Sequence, residues 1–230
     1  MPRVAGRKYK RKARRRRRAL KFIRNLLLTV LLVGTLVLLA LSSLFDISSI
    51  SVSGNIHYEE SEIIGLTDLV VGNNWFKTNG LDLKSIILFR SVEAEKRIRE
   101  NCHYVKKATV RLIIPDKVKI VLTEREPYVI SPYDDEFMIL DKEGYMLDLR
   151  KDISNYNLPM INGLNFDNCQ LGQAINAEDR KKFDIYKNVV EEINKLDNDN
   201  VYDSSKAMHK YVNYIDVTDW DNIGLMLDSR

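Results

Sequence analysis

The chain has 230 residues, 45% of them hydrophobic, enough to bury the core of one or two domains. Its 36 Lys+Arg and 32 Asp+Glu net to +4, but residues 1–24 hold 13 of the basic residues and no acid, which leaves 23 basic against 32 acidic in the remainder. The basic pI therefore does not mark the body as a nucleic-acid binder, two Cys exclude a disulfide-dense scaffold or a Cys-based zinc finger, and three scattered His make a poor metal cluster.

Residues 1–25 form a basic tail. Leu26 to Phe45 follow without a charge, and Leu26 to Leu41 are apolar except Thr29, Gly34 and Thr35. About 20 helical residues at 1.5 Å rise span roughly 30 Å of hydrocarbon. This run is apolar all round, unlike the one-sided stripe of a surface helix. It predicts a transmembrane helix over 26–45. The first Lys or Arg after it is Lys77, so the positive-inside rule puts the tail in the cytoplasm and residues 46–230 outside. The cluster Arg14, Arg15, Arg16, Arg17 and Arg18 is then a topology determinant that also touches anionic headgroups. A cleaved signal peptide fits less well, because the apolar run is long and the basic region long. Arg17-Arg18-Ala19-Leu20-Lys21 resembles a twin-arginine export signal, but it lies within a run of five Arg. A nuclear or nucleic-acid tag is at odds with the span directly after it.

Ile47, Ile50 and Val52 suggest a short strand closed by Gly54-Asn55. Tyr58 to Leu66 opens with acids and continues with apolars, which predicts a short helix. Gly72-Asn73-Asn74 reads as a loop. Ser91 to Asn101 predicts a second helix, with Glu93 and Glu95 early and Arg97 and Arg99 late, as the helix dipole favours. Ala108, Val110, Leu112 and Ile114 alternate with other residues, as do Val118, Ile120 and Leu122. The Pro115-Asp116 turn between them predicts a hairpin. Further on, Phe137–Leu140 and Tyr145–Leu147 flank a turn-like Asp141-Lys142-Glu143-Gly144. Leu158–Gly163 reads as a strand. Phe183, Tyr186, Val190 and Ile193 give Glu178–Leu196 a helical period. Tyr211–Val217 and Ile223–Leu227 predict two last strands. The sequence stops directly after the second of them, which suggests that the native fold continues.

Enzyme motifs are lacking: there is no G-x-S-x-G, P-loop, G-x-G-x-x-G or H-E-x-x-H. His57, His103 and His209 lack ligand spacing and read as surface or strand-end residues. Cys102 and Cys169 could pair outside the cell or stay free. Asp134-Asp135 and Glu191-Glu192 read as solvated surface, since catalytic carboxylates need burial. Asp197, Asp199 and Asp203 lack the Gly and Glu of a calcium loop. No catalytic residue, metal, cofactor, small-molecule substrate or nucleic-acid partner is expected. What remains is a membrane-tethered pair of modules with strand edges suited to recognition by strand addition.

In order along the chain stand Phe45-x-Ile47-x-x-Ile50-x-Val52-x-Gly54-Asn55, Tyr104-Val105-Lys106-Lys107-Ala108-x-Val110 with Pro115, and Val118-x-Ile120-x-Leu122-x-Glu124-Arg125-x-Pro127. Leu140-Asp141-x-x-Gly144, Leu158-Pro159-x-Ile161-x-Gly163 and Ile215-Asp216-Val217 complete the series. With the basic tail and the span, these residues resemble the FtsQ/DivIB family of bacterial cell-division proteins. Val105–Ala108 and the long tail are closer to the Gram-positive DivIB branch. The resemblance implies a single-span membrane protein with an α+β extracellular part: a POTRA domain (β-α-α-β-β) over 46–124 and a β-rich domain over 125–230, truncated at the C-terminus. It implies a non-enzymatic scaffold at the division septum. Its partners would be the single-span proteins FtsL and FtsB (DivIC in Gram-positives), with a septal cell-wall synthase beyond them. The family binds its partner through the last strands, which here points to Tyr211, Val212, Tyr214, Ile215, Ile223, Leu225 and Leu227. The competing class is a membrane-anchored extracellular cell-wall enzyme or sensor, which would need a pocket of converging carboxylates or His.

Overall fold

The structure is a computed structural model that describes residues 4–80, 83–167, 169–199, 212–219 and 222–227. It begins with one long helix, α1, Val4–Ala40. Within it Arg17–Ala40 is long and apolar enough to cross a membrane, and its apolar stretch is not buried in protein. The helix stops at Ala40, earlier than the span expected to reach residue 45. A turn of 3-10 helix at Ser43–Phe45 comes next instead. The cause is local. Asn74 Nδ2 donates to the carbonyls of Ala40 at 3.2 Å and Ser42 at 2.8 Å, satisfying acceptors that a helix end leaves open.

The same Asn74 opens the helix after it. Its Oδ1 accepts from the amides of Phe76 and Lys77, the capping geometry that starts a helix. That helix, α3, runs Trp75–Asn79. Strand β1 (Ser49–Ser53), helix α2 (Glu60–Gly65), α4 (Leu83–Leu88), α5 (Val92–Asn101), β2 (Val105–Ile113) and β3 (Lys117–Glu124) complete this part of the chain. The expected order of strand, helix, helix, strand, strand holds, with the short α3 and α4 added. The three strands form one sheet in the order β1-β3-β2. Alternation in β2 and β3 puts Ala108, Val110, Leu112, Val118, Ile120 and Leu122 inside. Glu95 of α5, itself buried, accepts from the Val110 amide at 2.9 Å. Gly54 closes β1 with φ +81°, and any Cβ there would collide with the Leu122 carbonyl oxygen, so only glycine fits.

The β-rich part holds β4 (Pro127–Tyr133), β5 (Glu136–Asp141), β6 (Met146–Arg150), β7 (Met160–Asn162), α6 (Ala177–Asp199), β8 (Val212–Asp216) and β9 (Gly224–Leu227). Its six strands run in the order β6-β5-β4-β7-β8-β9. The sheet is mixed: β7 is parallel to both β4 and β8, and the other pairs are antiparallel. Phe183 and Tyr186 of α6 are fully buried and join Val129, Leu140, Ile161 and Ile215 in one core. Compact packing groups residues 1–51, 68–91 and 111–119 as one unit and 52–67, 92–110 and 120–230 as another.

Candidate partner-binding edge

Strand β9 closes the six-stranded sheet at one side, and β8 lies next to it, inside. Residue pairs Tyr214–Met226, Ile215–Leu225 and Asp216–Gly224 set the β8–β9 register, and Met160–Tyr214 and Ile161–Ile215 set that of β7–β8. The residues expected to bind a partner therefore divide. Ile223 and Leu225 are exposed at the edge, 40% and 47% accessible, and so is Met226 at 49%. Leu227 is the last residue of β9. Val212 and Tyr214 are half-buried. Ile215 is not at the surface: it is 1% exposed and packs in the core, because successive residues of an interior strand face opposite sides. Tyr211 lies outside the described residues. Met226 was not anticipated. Strict alternation from Ile223 points to one face only, but the unbroken Leu225-Met226-Leu227 run is apolar on both.

A polar clasp holds β8 in place beside this edge. Asn162 Nδ2 donates to Asp216 Oδ2 at 3.0 Å, and the Thr218 amide donates to Oδ1 at 2.9 Å. Hydrogen bonds from Thr218 and Asn162 hold the Asp216 carboxyl below the usual carboxylate range. Lys182 Nζ, from α6, donates to the Gly163 carbonyl at 2.7 Å. Gly163 has φ +98°, and a Cβ there would stand 2.5 Å from the Thr218 nitrogen. Asp216 and Gly163 both belong to the quoted motifs, and only the register shows why. A shallow depression of about 200 Å³, lined by Pro132, Met160, Ile161, Asn162 and Tyr214, lies over the same strands.

The other singled-out residues take structural places. His57 Nδ1 pairs with Glu124 Oε2 at 2.6 Å, and its ring stacks on Tyr104 at 4.1 Å. The His103 ring packs against Gly172. Cys102 is buried and Cys169 partly so, and both are free thiols. His209 and Asp203 lie outside the described residues. Asp134 is the positive-φ residue between β4 and β5, and Glu191 and Glu192 are exposed on α6. Arg14–Arg18 lie on α1, where Arg17 and Arg18 are exposed. Among the described residues no group of three His, Cys, Asp or Glu could hold a metal ion.

A helix long and apolar enough to cross a membrane, a β-α-α-β-β sheet unit and a mixed six-stranded sheet ending in the apolar strand β9 are, among the described residues, the features of a single-span protein with a POTRA domain. Residues 45–125 match the POTRA domain, FtsQ-type. The chain is 30% identical over 175 residues to "Cell division protein DivIB" of Clostridium botulinum, covering 76% of this chain and 63% of that protein. It is 28% identical to the DivIB of Clostridium acetobutylicum, over 60% of this chain and 50% of the relative. It is 25% identical to "Cell division protein FtsQ" of Koribacter versatilis, over 78% and 45%. Over most of its length the chain is similar to proteins named DivIB and FtsQ, and residues 45–125 match the FtsQ-type POTRA domain. The chain spans between half and two thirds of the length of the DivIB proteins it matches first.

Proposed function

We propose that this protein is a non-enzymatic scaffold of the bacterial division machinery, with its tail in the cytoplasm and residues 46–230 outside. It gathers FtsL-like and FtsB/DivIC-like single-span proteins at the septum, so that septal cell-wall synthesis is coordinated. The observation that carries this reading is β9, a terminal strand with Leu225 and Met226 exposed and Ile223 exposed just before it. An edge strand offers unpaired backbone donors and acceptors, and soluble proteins usually blunt such strands with charge. An apolar edge strand that carries no charged side chain suits a partner that adds a strand. The names of the relatives support the division setting. Anchoring partners in one membrane raises their effective concentration, so modest contacts suffice.

A fluorescent fusion of the full-length protein, imaged in dividing cells of its source, tests this directly. A mid-cell band before constriction ends is expected. An even signal around the membrane would sink the proposal. Moving the Arg14–Arg18 charge to the far side of the span should invert or block insertion, and unchanged topology would remove the orientation argued from those residues.

A further inference from the structure

We propose that an apolar rim around the end of α1 seats in the bilayer surface, so that this part of the protein lies on the membrane. The inference rests on the reading of α1 as a span. It concerns only the compact unit that contains α1, residues 1–51, 68–91 and 111–119.

Two chain segments, residues 72–76 and the β2–β3 turn, are fastened to the few residues that leave the helix. Asn74 binds the carbonyls of Ala40 and Ser42. The Gly72 amide donates to the Ile47 carbonyl at 2.8 Å, and the Ile47 amide donates to the Asn73 carbonyl at 2.9 Å. The Ser48 amide donates to the Asp116 carbonyl, at the β2–β3 turn, at 2.7 Å. Phe45 meets the Phe76 ring edge-on at 5.1 Å. Whatever depth Ala40 occupies, the loop before Gly72 and the β2–β3 turn therefore stand close to it.

Those segments expose apolar side chains. Leu44, Val70, Val71, Ile113 and Ile114 are between 48% and 58% exposed. Among the described residues nothing in their own unit covers them. They come as two adjacent pairs, Val70-Val71 in a loop and Ile113-Ile114 where β2 ends and its turn begins, plus one residue at the helix exit. Ile87 and Leu88 of α4 are exposed as well. Their neighbour Phe89 is tied in, since its carbonyl accepts from the Leu112 amide at 2.8 Å.

The length of α1 names the occupant. The uncharged part of the helix, Asn25–Ala40, is 16 residues, or about 24 Å at 1.5 Å rise. The hydrocarbon core is about 30 Å thick. An uncharged stretch this short is matched by local thinning of the bilayer and by snorkelling of the flanking basic residues, which keeps its end close to the headgroups. The residues just beyond Ala40 must then tolerate lipid, and the exposed pairs do. Charge agrees. In residues 41–51, 68–91 and 111–119 the six basic side chains Lys77, Lys84, Arg90, Arg111, Lys117 and Lys119 face four acids. The rest of the body is strongly acidic. A slightly basic apolar rim suits an anionic lipid surface. A polar depression lined by Asp46, Gly72, Asn73, Asn74, Lys77 and Thr78 adjoins the rim, at the level where headgroups would lie.

The test uses the full-length chain in nanodiscs of phosphatidylcholine and phosphatidylglycerol. Cys169→Ser leaves the buried Cys102 as the only native thiol. Single Cys changes at Leu38, Val71 or Ile114 receive an environment-sensitive fluorophore. Doxyl-labelled lipid and aqueous iodide then serve as quenchers. Probes at Val71 and Ile114 are expected to lose most of their emission to doxyl lipid and little to iodide. Adding Ile113→Glu with Val70→Glu should reverse that preference. The Leu38 probe reports the span alone. If it is quenched by lipid and the other two only by iodide, the span stands and the rim proposal is overturned. If Leu38 also ignores lipid, both fall. Shielding of Ile114 that arises only when a partner protein is added would assign the rim to that protein and overturn the lipid proposal.

Discussion

Arg125 and Asp141 form an ion pair at 2.5 Å with side chains only 12% and 7% exposed. The two residues belong to separate stretches of the sequence resemblance, one after β3 and one ending β5. The pair is elaborated on both sides. Arg125 also bonds Glu143 at 2.9 Å and lies over the Tyr145 ring at 3.8 Å. Asp141 Oδ1 accepts from the amides of Glu143 and Tyr145, and Lys106 adds a second cation to Glu143. Removing Asp141 leaves the desolvated Arg125 with the half-exposed Glu143 as its carboxylate and takes the acceptor from the Glu143 and Tyr145 amides. Asp141→Ala should therefore cost about 3–5 kcal/mol, measured by denaturant unfolding of the detergent-solubilised protein. A loss below about 1 kcal/mol, the worth of an exposed pair, would show that the pair is solvated.

The β9 edge and the core side of β8 separate partner capture from stability. Leu225→Asp with Met226→Asp should leave unfolding within about 0.5 kcal/mol, since both are exposed. Capture of the DivIC-like partner should weaken at least about tenfold, or 1.4 kcal/mol. Ile215→Ala should do the opposite and cost about 2–5 kcal/mol of stability through a core cavity. Pull-down titrations beside unfolding curves would read both. Unchanged capture with the double Asp variant would remove β9 from the interface.

Gly163→Ala tests the β7–β8 clasp. The positive φ alone costs about 1–3 kcal/mol, and the added Cβ must displace the Thr218 backbone. Thermal unfolding should fall markedly. An unchanged midpoint would mean that the loop relaxes freely.

Burial pushes the Cys102 thiol up to about 11 from 9.0. Below pH 9 folded and unfolded chains both keep this proton. Between the two values only the unfolded chain releases it, so stability falls as pH rises from 9 to 11. The Cys102→Ala variant should show a shallower decline there. At neutral pH an aromatic disulfide reagent should titrate Cys169 alone in the folded protein and both thiols after denaturation. Two fast equivalents from the native state would contradict the burial of Cys102.

Asn74→Ala removes the acceptor that opens α3 and the donor that ends α1. A lost N-cap costs about 1 kcal/mol, and each lost hydrogen bond about as much again. Hydrogen exchange should rise at the Phe76 and Lys77 amides and after Ala40. Exchange confined to α3 would show that the helix end is held by other groups.

The hairpin of β2 and β3 was legible in the sequence because its alternation is strict and its turn is marked. The long helix α6 was legible through its period. Strand β4 was not, because Pro127 and Pro132 read as strand breakers. The chain accommodates Pro127 at the first position, where the β4–β5 register shifts, and Pro132 next to the last. Helix α3 was hidden by its length of five residues; its start depends on Asn74, which the sequence marks only as part of a loop. The partition of the candidate site was hidden too. Which of Tyr214, Ile215 and Leu225 faces outward depends on β8 lying between β7 and β9, a long-range pairing that no local pattern encodes.

Helix α1 runs unbroken for 37 residues from Val4 to Ala40. A continuous helix fixes azimuth as well as distance. Every residue turns the chain by about 100°, so Arg17, Arg18 and Lys21 each stand at a set azimuth relative to the Asn74 clasp at the other end. A pull or twist applied to the tail would reach the clasp as rotation, without a joint in between to absorb it. Deleting one residue between Leu26 and Leu39 would keep nearly the same length but swing the tail by more than a quarter turn. Any contact the tail makes would then meet the wrong side of the helix, whereas inserting seven residues, close to two full turns, would leave its direction nearly unchanged.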